Sequence, residues 1–218
     1  LSAFGDAEVY VEALLPRARH VEVQIAGDGS GQVRHFWERE CSLQRRNQKL
    51  VEIAPSPWLD PALRASLLDA AVRIGRAAAW DGLGTIEFLI DAEPAGRETR
   101  FAFIEANARL QVEHTITEEI LGIDLVRAQL AIAAGATLRD LQLAQDQVAS
   151  SRGVALQLRV NTEIMTADGD ARPTGGAVTA LSLPSGPGVR VDSAAYAGMH
   201  THPGFDSLLL KIVVHSTG

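Results

Sequence analysis

Glu105, Asn107, Arg109, Gln111 and Glu113 recur at every second position of the stretch Phe103-Ile104-Glu105-Ala106-Asn107-Ala108-Arg109-Leu110-Gln111-Val112-Glu113-His114. On a β-strand, that period would place all five side chains on one face. Two carboxylates, two amides and a guanidinium so arranged suit a site that holds a metal ion, an anion and a proton acceptor. A solvated sheet edge is the plainer alternative, although a surface has little need of Asn, Arg and Gln spaced so regularly between acids.

A third carboxylate belongs with these. Residues 85–90 and 100–104 predict a hairpin around Glu93-Pro94-Ala95-Gly96. With its register centred on Gly96, Glu87 lies directly opposite Glu105, and like charges so opposed destabilise a ladder. A hard divalent cation bridging both, with a phosphate as further ligand, removes the conflict; Mg²⁺ or Mn²⁺ suits all-oxygen ligands. Two unrelated surface acids are the alternative. The run Arg39-Glu40-Cys41-Ser42-Leu43-Gln44-Arg45-Arg46-Asn47-Gln48-Lys49 reads, taken alone, as a solvated basic loop, with Cys41 a small buried filler. Arg159 lies on an otherwise apolar strand, where an arginine can snorkel at a sheet edge. Glu113 also suits the start of a helix over 115–121, favoured by the dipole. His114 is read as structural.

The elements that must position these groups alternate between short strands and helices. Residues 9–15, 20–26 and 31–38 predict strands, the last two joined by Gly27-Asp28-Gly29-Ser30-Gly31. Asp60 caps a helix that has Pro61 at its first position, runs to about Trp80 and carries an apolar stripe of Leu63, Leu67, Leu68, Ala71 and Ile74. Asp124 caps another over 125–134, closed by Gly135. Strands follow at 154–160, 177–183, 189–192 and 208–214. The fold class is therefore α+β, with an antiparallel-sheet-rich part over 1–140 and a mainly β part over 141–218, divided within the polar stretch 137–152.

Composition narrows the function classes. The 218 residues carry a formal net charge of −7 and no Lys/Arg-rich run, which argues against nucleic acid or an anionic membrane as partner. Cys41 is the single cysteine, so no intrachain disulfide forms, in keeping with a reducing, cytoplasmic setting. No apolar run approaches the ~18 residues of a membrane span. The first residues lack the form of a signal peptide, and Leu1 in place of an initiator Met suggests a piece of a longer protein.

The segments F-I-E-x-N-x-R-x-Q-V-E-H, C-S-x-Q-R-R-x-Q-K and R-V-N-T-E, at 103–114, 41–49 and 159–163, together resemble the biotin carboxylases, the ATP-grasp component of biotin-dependent carboxylases. The resemblance implies that Glu87 and Glu105, with Asn107 beside them, bind the metal. It implies that Glu113 takes a proton from bicarbonate, which then attacks the γ-phosphate of ATP to give carboxyphosphate. Arg109, Gln111 and the Val112 backbone match bicarbonate-holding positions, and Lys49 serves the bicarbonate and γ-phosphate region. Glu12, Leu15, His20 and Gln44 match nucleotide contacts, while Ala13 and Asn47 depart from the family's usual Lys and His. Arg159 matches the arginine beside the biotin ureido ring, and Arg190 a position near a subunit interface, so a homodimer through the C-terminal domain is implied.

ATP, Mg²⁺ or Mn²⁺, bicarbonate and biotin on a carrier domain are the implied cofactors and substrates. The carrier domain and a carboxyltransferase are the implied partners. The resemblance covers nearly all of the chain but only about the second half of a biotin carboxylase. No glycine-rich phosphate loop occurs in these residues, so the 218-residue piece alone is expected to fold without carboxylating biotin. Another ATP-grasp ligase, such as the carbamoyl-phosphate synthase large subunit, and a non-catalytic assembly module are the alternatives.

Overall fold

Val21, Val23 and Ile25 alternate with His20, Glu22 and Gln24, and a strand so patterned must present an apolar face on one side and a polar one on the other. The computed structural model describes residues 8–9, 11–92, 101–147, 150–204 and 206–217. In chain order the elements are β1 (Ala18–Asp28), β2 (Val33–Arg45), β3 (Gln48–Ala54), α1 (Pro61–Ala77), β4 (Asp81–Asp91), β5 (Phe101–Asn107), α2 (His114–Leu121) and α3 (Leu125–Ala133). There follow β6 (Val154–Asn161), β7 (Glu163–Met165), β8 (Ala171–Pro173), β9 (Gly176–Ala177), β10 (Val189–Ser193), β11 (His200–Thr201) and β12 (Leu208–Ser216). Eight strands form one antiparallel sheet in the order β10-β12-β6-β3-β2-β1-β4-β5, and β7–β8 and β9–β11 form small ribbons. This is the antiparallel-sheet-rich α+β fold that the sequence predicts.

Helix α1 starts where the sequence places it. Asp60 accepts from the backbone N–H of Ala62 at 2.9 Å and of Leu63 at 3.3 Å, and Pro61 occupies a position whose N–H would be unpaired in any case. Leu67, Leu68 and Ala71 are buried against Val21, Val23, Ile25, Ile86, Phe88 and Ile90 of β1 and β4. The same alternation leaves the other face of these strands to Glu22, Gln24, Thr85 and Glu87, all of them buried. A Cβ at Gly84 would collide with the Trp80 indole, so the glycine before Thr85 is what lets β4 pass that ring. A second core gathers Ile116, Ile120, Leu125 and Ile132 from α2 and α3 with Phe36, Ala155 and Val213.

The β4–β5 register agrees with a hairpin centred on Gly96. Thr85 pairs with Asn107 and Glu87 with Glu105; a shift after Glu87 then sets Phe88 against Phe103. The turn itself falls at 93–100, outside the described residues. Strand β3 pairs with β6, Val51 with Leu158 and Ala54 with Ala155, so the sheet runs unbroken from the first part of the chain into the second.

Four expectations are corrected. Residues 105–113 are not one strand, because β5 ends at Asn107 and Arg109, Gln111 and Glu113 lie on the loop into α2. Residues 39–49 are not a loop but the β2–β3 hairpin, turning at Arg46-Asn47 with φ of 50° and 65°. Positive φ at both turn residues matches the twist of the flanking strands, and Asn tolerates that region well. The described residues of 9–15 form no strand, and of 177–183 only Ala177 lies in one, with Val178 adding backbone bonds to Met199 at 2.8 Å and Gly198 at 2.7 Å. No helix among the described residues is long and apolar enough to cross a membrane.

Candidate active site

Arg39, Glu22, Glu87 and Glu105 stand in lateral register across β2, β1, β4 and β5. Three carboxylates in a row repel one another, so cations must hold them. Arg39 is fully buried and donates to Glu22 at 2.5 Å, Gln24 at 2.9 Å, Thr117 at 3.0 Å and Thr85 at 3.3 Å, joining three strands to α2. Lys49 reaches over from β3. Its ammonium contacts Glu22, Glu87 at 3.2 Å and Glu113 at 2.7 Å. Burial works against charge at Glu22, but Arg39 and Lys49 hold its carboxyl below the usual range. Lys49 is pushed above its ordinary range despite burial, by Glu22, Glu113 and Glu87 among its neighbours.

Glu87 is the most heavily bonded acid of this row. The His20 Nε2 donates to it, Gln111 donates at 2.7 Å and Asn107 at 3.0 Å, while the Gln44 amide meets the other His20 nitrogen at 2.7 Å. Burial raises its pKa, yet the His20 bond, the Lys49 charge and the Gln111 bond outweigh it and hold the carboxyl at about 2. Since the folded pKa lies below the ordinary one of 4.5, the stabilisation is present above pH 4.5 and is lost as pH falls toward 2. We expect wild type to exceed Glu87→Gln in stability by about 3 kcal/mol near neutral pH. That gap should close as pH drops through this window. Denaturant unfolding of both proteins from pH 6 toward pH 2, run as a series, measures it; a gap independent of pH would refute the assignment.

The Asn107 amide bridges Glu87 and the exposed Glu105, donating to the latter at 2.8 Å. The carboxamide oxygen of Gln111 is buried beside them without a hydrogen-bond partner. Two facing carboxylates and amide oxygens make a hard donor set, which fits Mg²⁺ or Mn²⁺.

Glu113 enters from the helix side, as the N-cap of α2, with φ −80° and ψ 1° and no capping bond from its side chain. The carboxylate turns instead to Lys49 at 2.7 Å and Arg159 at 3.1 Å, so one oxygen meets β3 and the other β6. Arg159 also donates to Glu52 at 2.6 Å, and Gln157 links Glu52, at 3.0 Å, to Thr115, at 2.5 Å. His114 bonds the Gln111 carbonyl at 2.7 Å and so shapes the loop, the structural part expected of it. Cys41 is fully buried and burial pushes its thiol up, which suits a filler.

A cavity of about 650 Å³ brings together His20, Gln44, Lys49, Glu87, Glu105, Arg109, Gln111, Val112, Glu113 and Arg159. Arg109 is exposed there, with a contact of 3.4 Å to the Leu110 carbonyl. Asn107 joins through its amide bonds. Glu12 and Leu15 do not line this cavity; they lie in the irregular segment before β1. Arg190 bonds Glu118 and Asp192 of its own chain, each at 2.8 Å. Reading residues by motif missed Glu22, Arg39, Glu52 and Gln157. The available signal was a polar residue at alternate positions of strands that are otherwise apolar.

Residues 1–141 match the family described as carbamoyl-phosphate synthase L chain, ATP binding domain, and residues 157–218 match the biotin carboxylase C-terminal domain. A biotin carboxylase from Nostoc sp. is 47% identical over 213 residues, covering 98% of this chain and 45% of the relative. Pyruvate carboxylase 1 of Caenorhabditis elegans is 46% identical over 213 residues, 97% of this chain and 17% of the relative. Among solved structures, the biotin carboxylase domain dimer of Hydrogenobacter thermophilus 2-oxoglutarate carboxylase, in complex with MgADP, ADP and bicarbonate, superposes with a TM-score of 0.84. It is 38% identical and is matched over 94% of this chain and 43% of its own. The chain thus spans less than half the length of these relatives.

Proposed function

Because the chain belongs to the biotin carboxylase family of ATP-grasp proteins, we propose that it supplies the bicarbonate-activating half of a site that carboxylates biotin at the expense of ATP. The observation that carries this reading is the Glu113 carboxylate clasped by Lys49 and Arg159 at the mouth of the acidic row. Residues 1–140 form the ATP-grasp portion and residues 141–218 the C-terminal domain.

Bicarbonate enters against Arg109, Gln111 and the Val112 backbone, where a guanidinium fork suits an oxyanion. Glu113 accepts its proton. The freed oxygen bonds to the γ-phosphorus of ATP as the bond to ADP breaks, giving carboxyphosphate and ADP. Lys49 neutralises charge that gathers between the two substrates. The Arg159 guanidinium then faces the ureido oxygen of biotin and stabilises the negative charge that develops there. His20 and Gln44 border the nucleotide, with Glu12 and Leu15 on its adenine side. Glu87 and Glu105, beside Asn107, would hold Mg²⁺ or Mn²⁺, which would offset phosphate charge when bound.

Biotin comes on a carrier domain, and a carboxyltransferase selects the final acceptor. A cytoplasmic homodimer through the C-terminal domain completes the proposal.

Glu105→Gln tests the metal arm, since Glu105 is exposed and its loss spares the core. In the full-length enzyme the Mg²⁺ needed for half-maximal ADP release should rise by about 10–100-fold. An unchanged metal requirement would sink the assignment. In the same assay the isolated 218 residues are expected to fold, by circular dichroism, without biotin-dependent turnover.

A further inference from the structure

Lys211 sits in the middle of Leu208-Leu209-Leu210-Lys211-Ile212-Val213-Val214, an apolar strand that has no evident use for a charge. It is 8% exposed, and burial lowers its pKa. A buried ammonium is costly unless its bonds repay the lost hydration. One bond goes to the Val112 carbonyl at 2.7 Å; the nearest carboxylate, Asp192, is farther off at 3.6 Å.

The register explains why it reaches that carbonyl. Lys211 on β12 pairs directly with Arg159 on β6, so the two side chains leave the sheet on the same face. Arg159 takes the Glu113 side chain and Lys211 takes the carbonyl of the residue before it. The segment between β5 and α2 has no ladder of its own to fix its peptide planes. The Gln111 carbonyl is already held by the backbone and ring of His114, at 3.2 and 2.7 Å. The Val112 carbonyl is held from the opposite domain.

We infer that Lys211 is a positioning residue: by gripping the Val112 carbonyl it sets the peptide plane from which Glu113 and the bicarbonate-facing backbone are aimed. This rests on the reading of Glu113 given above. Small displacements at a reacting centre cost rate steeply, up to about 10²-fold for ~1 Å.

The test is steady-state kinetics of the full-length enzyme carrying Lys211→Met, which keeps the apolar stem and removes the ammonium. The kcat for bicarbonate-dependent ATP cleavage should fall by about 10–100-fold and the KM for bicarbonate should rise, while the KM for ATP stays within about twofold. Lys211→Arg, which keeps a donor, should recover part of the loss. A wild-type kcat, or ATP and bicarbonate KM values rising in step, would overturn the inference. Should the Met variant not fold, Lys211→Gln, too short to reach Val112, is read by the same criteria. Glu113→Gln run in parallel separates the two claims. If it loses activity and Lys211→Met does not, only the role of Lys211 falls; if it keeps activity, the underlying reading falls first.

Discussion

Glu113→Gln in the full-length enzyme is expected to reduce bicarbonate-dependent ATP cleavage by about 10²–10⁴-fold while nucleotide still binds. The substitution is nearly isosteric, and a carboxamide oxygen can still accept from Lys49 or Arg159, so the cavity should keep its shape. What disappears is the carboxylate proposed to accept the bicarbonate proton. Two measurements check this: ADP release with and without bicarbonate, and nucleotide titration of the variant. Near-normal turnover with Gln at this position would assign the base elsewhere. Loss of nucleotide binding together with turnover would point to collapse of the clasp rather than to loss of a base.

Arg39→Met should have the largest effect on stability. Arg39 and Glu22 are both fully inaccessible, and Arg39 also satisfies Gln24, Thr117 and Thr85. Removing one member of such a pair leaves a buried charge with a weaker partner, here Glu22 with Lys49 alone, at a cost of about 3–5 kcal/mol. Denaturant unfolding measures the loss. The double variant with Glu22→Gln should lose less than the two single losses combined, because the second change removes the stranded charge. A single-variant loss below about 1 kcal/mol, or strict additivity, would show that the pair is not the tie it looks to be.

Several of these groups were legible in the sequence and others were not, for physical reasons. The Glu87–Glu105 opposition could be read because hairpin register is arithmetic once a turn is located, and the pairing agrees. The helix at Asp60-Pro61 was legible because its cap chemistry is local. The alternating stripe 105–113 misled, since two causes give the same period. On β5 the pleat sets it as far as Asn107; beyond, the loop lies along a cavity whose walls come from all of β1 to β6. Strand β3 was missed because charged residues around Arg45 to Lys49 suggest solvent, whereas Lys49 is held by three acids that lie far off in sequence. Residues 177–183 have strand-like composition, but the strand ends at Ala177 and only Val178 beyond it still bonds the facing backbone, at Gly198 and Met199.

The β3–β6 pairing also orders events in time. Ala54 and Ala155 meet across roughly a hundred residues of intervening chain, and such a long loop closes later than neighbouring hairpins do. On a ribosome, Lys49 and Glu113 would be present well before Arg159 is synthesised. A partly made chain could therefore set out the acidic row while Glu113 still lacked one of its two cations. Synthesis of β6 supplies Arg159 and with it the second half of the clasp, so the clasp and the β3–β6 ladder form together.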